Sequence, residues 1–295
     1  MIVQESVAPE WVSVEENRQA RPLSTGDEHC LFCPGPGTEV GEGPFSVAVF
    51  ANRFPPFSGP GTAEVVVYSP RHDDDLGYLG PGHAESLRDA LLVRSEALRK
   101  REDIRQVFLF ENRGARVGAS MAHPHGQIYG YPAVAPRLAR ELSRFEAEAC
   151  PLCSEAAAGD ARARVLLAIP GWRVLAPPVP RMPYELWLVP DVHRARLDDE
   201  TFSPTTVRLL QAALRALDRR FRHRTELTWG IYQDTRPGVS AYHWRIDILP
   251  YERGGGRFKY LAGSELQMDA FLCDVAPMTT VAEIGPLLRA EGTGL

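Results

Sequence analysis

Four of the five cysteines stand as two Cys-x-x-Cys pairs, Cys30 with Cys33 in HCLFCPG and Cys150 with Cys153 in ACPLCSE. Such a knuckle offers two thiolates from one tight turn, which suits a tetrahedral Zn²⁺ completed by two imidazoles. One pair alone is equally a redox dithiol or chance. An odd cysteine count without a secretion signal is a poor disulfide framework. The histidines decide between these readings. The next histidine after Cys33 is His72, 39 residues on, and the next after Cys153 is His193, 40 residues on. His123 follows His72 by 51 residues and His243 follows His193 by 50, while the cysteine pairs themselves are 120 apart (150 − 30). An isolated histidine is more often a surface imidazole than a ligand, but four coincident offsets describe an internal repeat. They predict one metal set of Cys30, Cys33, His72 and His123 and a second of Cys150, Cys153, His193 and His243, with zinc as the metal. One such site is expected and two are allowed.

A second constellation lies at 123–127. In a strand, alternate side chains share a face, so His123, His125 and Gln127 of HPHGQ are expected to project together. Upstream, FENRGARVGAS carries Gly114 and Gly118, and a glycine-bearing turn can offer backbone N–H groups to phosphate oxygens. Gly-x-x-x-Gly is weak alone and gains force beside a His-x-His strand.

The elements that must position these groups repeat with the same period. FSVAVF (45–50), EVVVY (64–68) and QVFLF (106–110) read as strands of the first half. WRVLA (172–176), ELWLV (185–189) and LTWGIY (227–232) read as strands of the second. Leu87, Leu91 and Leu98 mark the apolar face of one helix; Leu210, Leu214, Leu217 and Phe221 mark another. A further helix is expected in RLARELSRFEAEA, near the join. The pattern predicts an α+β fold of two tandem halves, 1–140 and 141–295, each an antiparallel sheet with a packed helix.

Composition excludes several classes. The 295 residues are 44% hydrophobic with a net charge of −5, which argues against a general nucleic-acid binder while allowing a local cationic pocket. No apolar run approaches the roughly 18–20 residues of a membrane span, and the N-terminus shows no signal peptide, so a cytoplasmic protein is expected.

ENRGARVGASMAHPHGQIYG resembles the signature of galactose-1-phosphate uridylyltransferases, in the histidine-triad superfamily. Arg18 and Arg21 in NRQARP are similar to the family's Arg-x-x-Arg-Pro, Asn52 and Phe54 in FANRFP to its nucleotide-pocket strand, and RFKYLAGSE to its Lys-Phe-x-x-Gly-x-Glu. The resemblance implies two tandem histidine-triad-like halves. It also implies ping-pong nucleotidyl transfer between an NDP-sugar and a sugar 1-phosphate, with UMP as the default group and galactose as the default sugar. His125 would be the nucleophile. Gln127 and Ser120 would hold phosphate. Arg18, Arg21, Asn52, Asn112 and Gly118 would contact nucleotide or phosphate, and Lys259 and Glu265 would address the sugar-phosphate end from the neighbouring subunit of a homodimer. The chain departs from its relatives at His243-Trp244-Arg245-Ile246-Asp247, where Arg245 replaces a second histidine, and at Ser264, where relatives carry an aromatic. With those changes an NDP-sugar phosphorylase, a hydrolase or an enzyme for an unusual sugar are the alternatives on the same fold. Arg245 cannot be a metal ligand, because a guanidinium has no lone pair to offer, and an ion pair with Asp247 is expected instead.

Overall fold

The computed structural model describes residues 2–4, 11–20, 30–57, 59, 61–157 and 164–295. Eleven strands form two sheets among these residues. β1 (Ile2–Gln4) and β2 (Trp11–Ser13) make a short ribbon. The remaining strands are β3 (Ala48–Ala51), β4 (Thr62–Val67), β5 (Gln106–Arg113), β6 (His125–Tyr131), β7 (Val165–Ile169), β8 (Trp172–Leu175), β9 (Leu186–Pro190), β10 (Leu227–Tyr232) and β11 (Arg245–Pro250). They join in one nine-stranded sheet of order β3-β4-β6-β5-β10-β11-β9-β8-β7, with every neighbouring pair antiparallel.

The halves meet at β5 and β10. Phe110 pairs with Gly230 there, 120 residues on, so the pseudo-twofold axis relating the halves passes through this pair. Four strands belong to the first half and five to the second; β7 is the unmatched edge.

Strand alternation decides which face each residue serves. Val107, Leu109 and Ile128 are fully buried under the helices, as are Ile246 and Trp244 beyond the axis. Three helices cover this face: α1 (Pro81–Arg99), α4 (Pro204–Phe221) and α6 (Pro277–Glu291). Proline in the first turn starts all three at the position where its missing N–H costs nothing. The heptad-like leucines behave as the period requires: Leu87, Leu91 and Leu98 of α1 and Leu210, Leu214 and Leu217 of α4 are buried, each contributing on the order of 2 kcal/mol by leaving water. Phe221 is only partly buried at the core margin. Among the described residues there are also three shorter α-helices: α2 (Pro136–Ala147), α3 (Pro151–Ala157) and α5 (Gly263–Met268). α2 is the helix expected near the join. None of the described helices is long and apolar enough to cross a membrane.

The cross-axis clamps are polar and unequal. Arg113, at the end of β5, is fully buried and makes paired hydrogen bonds at 2.7–2.9 Å to Asp75 and Asp218, the latter on α4. Its counterpart 120 residues on is Gln233, a neutral amide donating to Ser95 of α1 at 3.2 Å. A buried guanidinium needs this full complement of carboxylates, since an unpaired charge there would be strongly destabilising.

A candidate nucleotidyl-transfer site and two metal sets

The fold brings both Cys-Cys-His-His sets together, with the four candidate ligand atoms of each within 4.8 Å of one another. In the first, Cys30 Sγ and Cys33 Sγ lie 3.6 and 3.5 Å from His123 Nδ1, and Cys33 Sγ lies 3.5 Å from His72 Nδ1. In the second, Cys150 Sγ and Cys153 Sγ lie 3.6 and 3.4 Å from His243 Nδ1, and Cys153 Sγ lies 3.4 Å from His193 Nδ1. The tautomers match as well. His123 donates Nε2–H to the Ser69 carbonyl at 2.9 Å and His243 donates to the Pro190 carbonyl at 3.0 Å, which leaves Nδ1 of each as the ligating nitrogen. Burial holds both imidazoles neutral: it lowers His123, and with His193 nearby it pulls His243 down to about 4. Two thiols and two imidazoles, one of them with its tautomer fixed, are a donor set that suits a tetrahedral metal. Both sets could hold zinc.

The sets differ in exposure. Cys30 and His123 are buried, in a small core with Phe32, Val65, Val67 and Met121. Cys153 of the second set is exposed.

β6 begins at His125, so His123 lies on the turn entering the strand rather than within it. That turn separates the two histidines, which strand alternation alone would have placed on one face. His123 faces the cysteines, whereas His125 lines a small pocket of about 50 Å³ with Phe32, Asn52, Ser120, Met121 and Gln127. His125 donates Nδ1–H to the His123 carbonyl at 2.8 Å, which makes Nε2 the nitrogen bearing the lone pair. The ring packs edge-on against Phe32, centroids 5.0 Å apart. Gly126, between His125 and Gln127, is required by a close approach: a Cβ there would fall 2.5 Å from the Tyr68 hydroxyl. Gly118 adopts φ +96°, and a Cβ would press on Asn112 Nδ2 at 3.4 Å, so glycine keeps this turn against β5. Asn52 accepts from the Phe54 amide at 2.9 Å through its carbonyl oxygen, which leaves its NH₂ as the group to offer a ligand.

Of the remaining expected residues, Arg18 is tied to the pocket rim by donation to the Phe54 carbonyl at 2.9 Å. Arg21 lies outside the described residues. Lys259 and Glu265 are buried and ion-paired with each other, away from the residues lining the His125 pocket; Lys259 holds Glu265 down to about 2.

Phe54, expected with Asn52 in the nucleotide-pocket strand, lines the pocket, whereas sequence reasoning missed Phe32, Glu39 and Arg53 as its walls. It also missed Tyr129, whose hydroxyl donates to Gln127 Oε1 at 2.9 Å. The strand period places Tyr129 on the face of Gln127, and Phe32 lies inside the Cys-x-x-Cys knuckle; both signals were legible.

In the second half, Arg245 occupies the place of His125 and Asp247 that of Gln127. Arg245 is buried, bonded to Asp247 at 2.7 Å and to Glu141 at 3.0 Å, and flanked by the rings of Trp187 and Tyr232. Burial pushes the Glu141 carboxyl up, but Arg245, Arg137 and the Tyr242 hydroxyl outweigh it and hold it down to about 2. Arg245 has its expected anionic partner in Asp247.

Two halves related by an internal repeat share one antiparallel sheet, with a pocket histidine in only one of them. The profile described as "Galactose-1-phosphate uridyl transferase, N-terminal domain" matches residues 54–135. A galactose-1-phosphate uridylyltransferase of Thermotoga maritima is 27% identical over 91% of this chain and 92% of its own length. One of Streptomyces lividans is 35% identical over 58% of this chain and 51% of its own. A solved uridylyltransferase structure superimposes with a TM-score of 0.87 at 26% identity, covering 98% of both chains. The chain is similar to galactose-1-phosphate uridylyltransferases over nearly its whole length.

Proposed function

We propose that the protein moves a nucleoside monophosphate, UMP by default, between an NDP-sugar and a sugar 1-phosphate through a covalent nucleotidyl-histidine on His125. The observation that carries this reading is the Nδ1–H···O=C bond from His125 to His123, which presents Nε2 as the nucleophile beside Ser120 and Gln127. In the first step Nε2 attacks the α-phosphorus, an Nε2–P bond forms, and the bond from that phosphorus to the bridging oxygen breaks. The sugar 1-phosphate departs with that oxygen. In the second step a phosphate oxygen of the incoming sugar 1-phosphate attacks phosphorus and the P–N bond breaks. Splitting one transfer into two lowers each barrier.

Positive charge that develops on the ring in the adduct is stabilised by the His123 carbonyl, already in place before reaction. Ser120 and the Gln127 amide donate to the phosphoryl oxygens, with Tyr129 holding the Gln127 carbonyl so that its NH₂ serves phosphate. Asn52, Asn112, Arg18 and Arg21 take the nucleotide side, with Gly118 giving the backbone room to approach. Arginine suits a planar, bidentate grip on phosphate. Phe32 and Met121 exclude water from the nucleophile. Zinc held by Cys30, Cys33, His72 and His123 would supply rigidity to the turn that carries the His123 carbonyl; Cys150, Cys153, His193 and His243 would hold a second ion. Within this reading the halves divide at 140/141, the enzyme works in the cytoplasm, and a homodimer brings Lys259 and Glu265 of each chain to the sugar end of the other's site.

The test is incubation with UDP-glucose, ADP-glucose or GDP-sugars labelled in the α-phosphate. Protein-bound label that a sugar 1-phosphate discharges is the expected result. Discharge by inorganic phosphate would point to a phosphorylase and discharge by water to a hydrolase. Absence of any bound label would remove the covalent mechanism.

A further inference from the structure

The second half keeps a pocket where the first half keeps its nucleophile, and it is the larger of the two, with a cavity of about 410 Å³. Arg245 stands in the place of His125 and Leu152 in that of Phe32, so the counterpart cannot perform nucleophilic chemistry: a guanidinium stays protonated and has no lone pair. Its lining is nonetheless built for an anion. Arg137, Arg140 and Arg144 project from one face of α2, spaced three and four residues apart, and Arg181 and Arg245 close the back.

The deep and outer arginines differ in how they are paired. Arg181 and Arg245 are saturated by the buried carboxylates Glu185 and Asp247, with Glu141 added on Arg245. The outer ones are held loosely. Arg140 and Asp269 pair at 2.6 Å but are both more than half exposed, and Arg144 and Glu148 stand 3.9 Å apart with both side chains exposed. Exposed pairs of this kind contribute little and yield readily to a phosphate dianion, which offers several acceptors in a geometry that fits guanidinium. Arg137, about a third exposed, pairs through Nη2 with Glu141 at 3.1 Å, while its Nε is buried and finds no acceptor among the described residues. A buried donor without a partner calls for an acceptor that the chain alone does not provide. The remaining wall is apolar and includes Trp187 and Phe271.

The geometry points to a second, non-catalytic binding site for a phosphate ester, with the phosphate on Arg137, Arg140 and Arg144 and the organic group against Trp187 and Phe271. It is independent of whether His125 becomes nucleotidylated. Nucleotides and sugar phosphates share the chemistry it recognises.

Equilibrium dialysis of radiolabelled UMP, AMP and glucose 1-phosphate tests the site, with wild type compared against Arg140→Ala/Arg144→Ala. The altered side chains are exposed, so the variant keeps its fold, and its thermal melting and His125 labelling serve as controls. The wild type is expected to show two binding classes per chain, one of which weakens at least tenfold in the variant. Arg140 and Arg144 should also become protected from phenylglyoxal by the phosphate ester that binds. Inhibition of that class by inorganic phosphate would show that the phosphate alone suffices; no inhibition would show that the organic group is needed as well. Binding indifferent to the double substitution, whether in one class or two, or equal competition by uridine without phosphate would each overturn the site.

Discussion

β6 and β11 start at equivalent points 120 residues apart, and each follows a histidine held by a cysteine pair and a backbone carbonyl. One strand opens with His125, the other with Arg245. The metal-ligand geometry is conserved between the halves to within a few tenths of an ångström, while the pockets beyond it have diverged completely. A structural site tolerates little change, because each ligand must bring a lone pair of the right kind to the right place. A chain needs only one pocket histidine of this kind, so the twin position is free to carry a charge cluster instead. The same divergence reaches the core. Glu111 on β5 is buried and accepts from Tyr68 at 3.1 Å and Trp229 at 2.7 Å, where the second half places Ile231.

The largest effect expected from this asymmetry is at the nucleophile. His125→Ala should reduce nucleotidyl labelling by at least about a thousandfold, the scale seen when a covalent nucleophile is removed. Metal content and melting temperature should stay unchanged. Labelling that survives would transfer the chemistry elsewhere and break the comparison between the strand openings.

Arg245→Met should act on stability instead of chemistry. Removing the guanidinium leaves buried Asp247 with Arg181 alone and half-buried Glu141 with Arg137 alone, which costs up to about 3 kcal/mol, the low end for a broken buried pair. Denaturant unfolding measures this, and labelling per folded molecule should be retained. A neutral result would mean that the buried network contributes nothing to the second half.

Glu111 sharpens the comparison through pH. Burial, with Asp75 adding to it, raises its carboxyl from 4.5 to about 7. Between those values the unfolded chain has lost the proton and the native chain still holds it. Stability therefore falls as pH rises through that window, by at most about 3 kcal/mol for a shift of this size. Glu111→Gln keeps acceptors for Tyr68 and Trp229 and should flatten this slope, so that the variant gains on wild type at pH 8 and not at pH 4.5. Parallel pH profiles of melting for the two proteins would refute it.

The smallest effect is kinetic. With Cys153 exposed and Cys30 buried, a competing chelator should strip about one zinc per chain quickly and the other slowly. Cys153→Ser should remove the fast phase and Cys30→Ser the slow one. Release in one phase would make the two sites equivalent despite their different burial.

Residue type and spacing alone carried the eight metal-ligand candidates, the central strands, the leucine faces of α1 and α4, and the separation of His125 from its unreactive counterpart. They could do so because cysteine and histidine pairs are rare enough for their intervals to be informative, and because strand and helix periods are local properties of the chain. The chain order also marked Tyr129 and Phe32, whose positions relative to Gln127 and Cys33 are a matter of two residues or fewer. Tertiary structure alone decided which arginines share a cavity and which core carboxyl is raised in pKa by burial. Arg137 and Arg245 belong to different elements, as do Tyr68, Glu111 and Trp229, separated by 43 and 118 residues. Arginine and glutamate are common on every surface, so nothing in their order along the chain distinguishes a solvated charge from a buried partner. Only the close approach of strands and helices removes the water, and the loss of water gives those charges their energies.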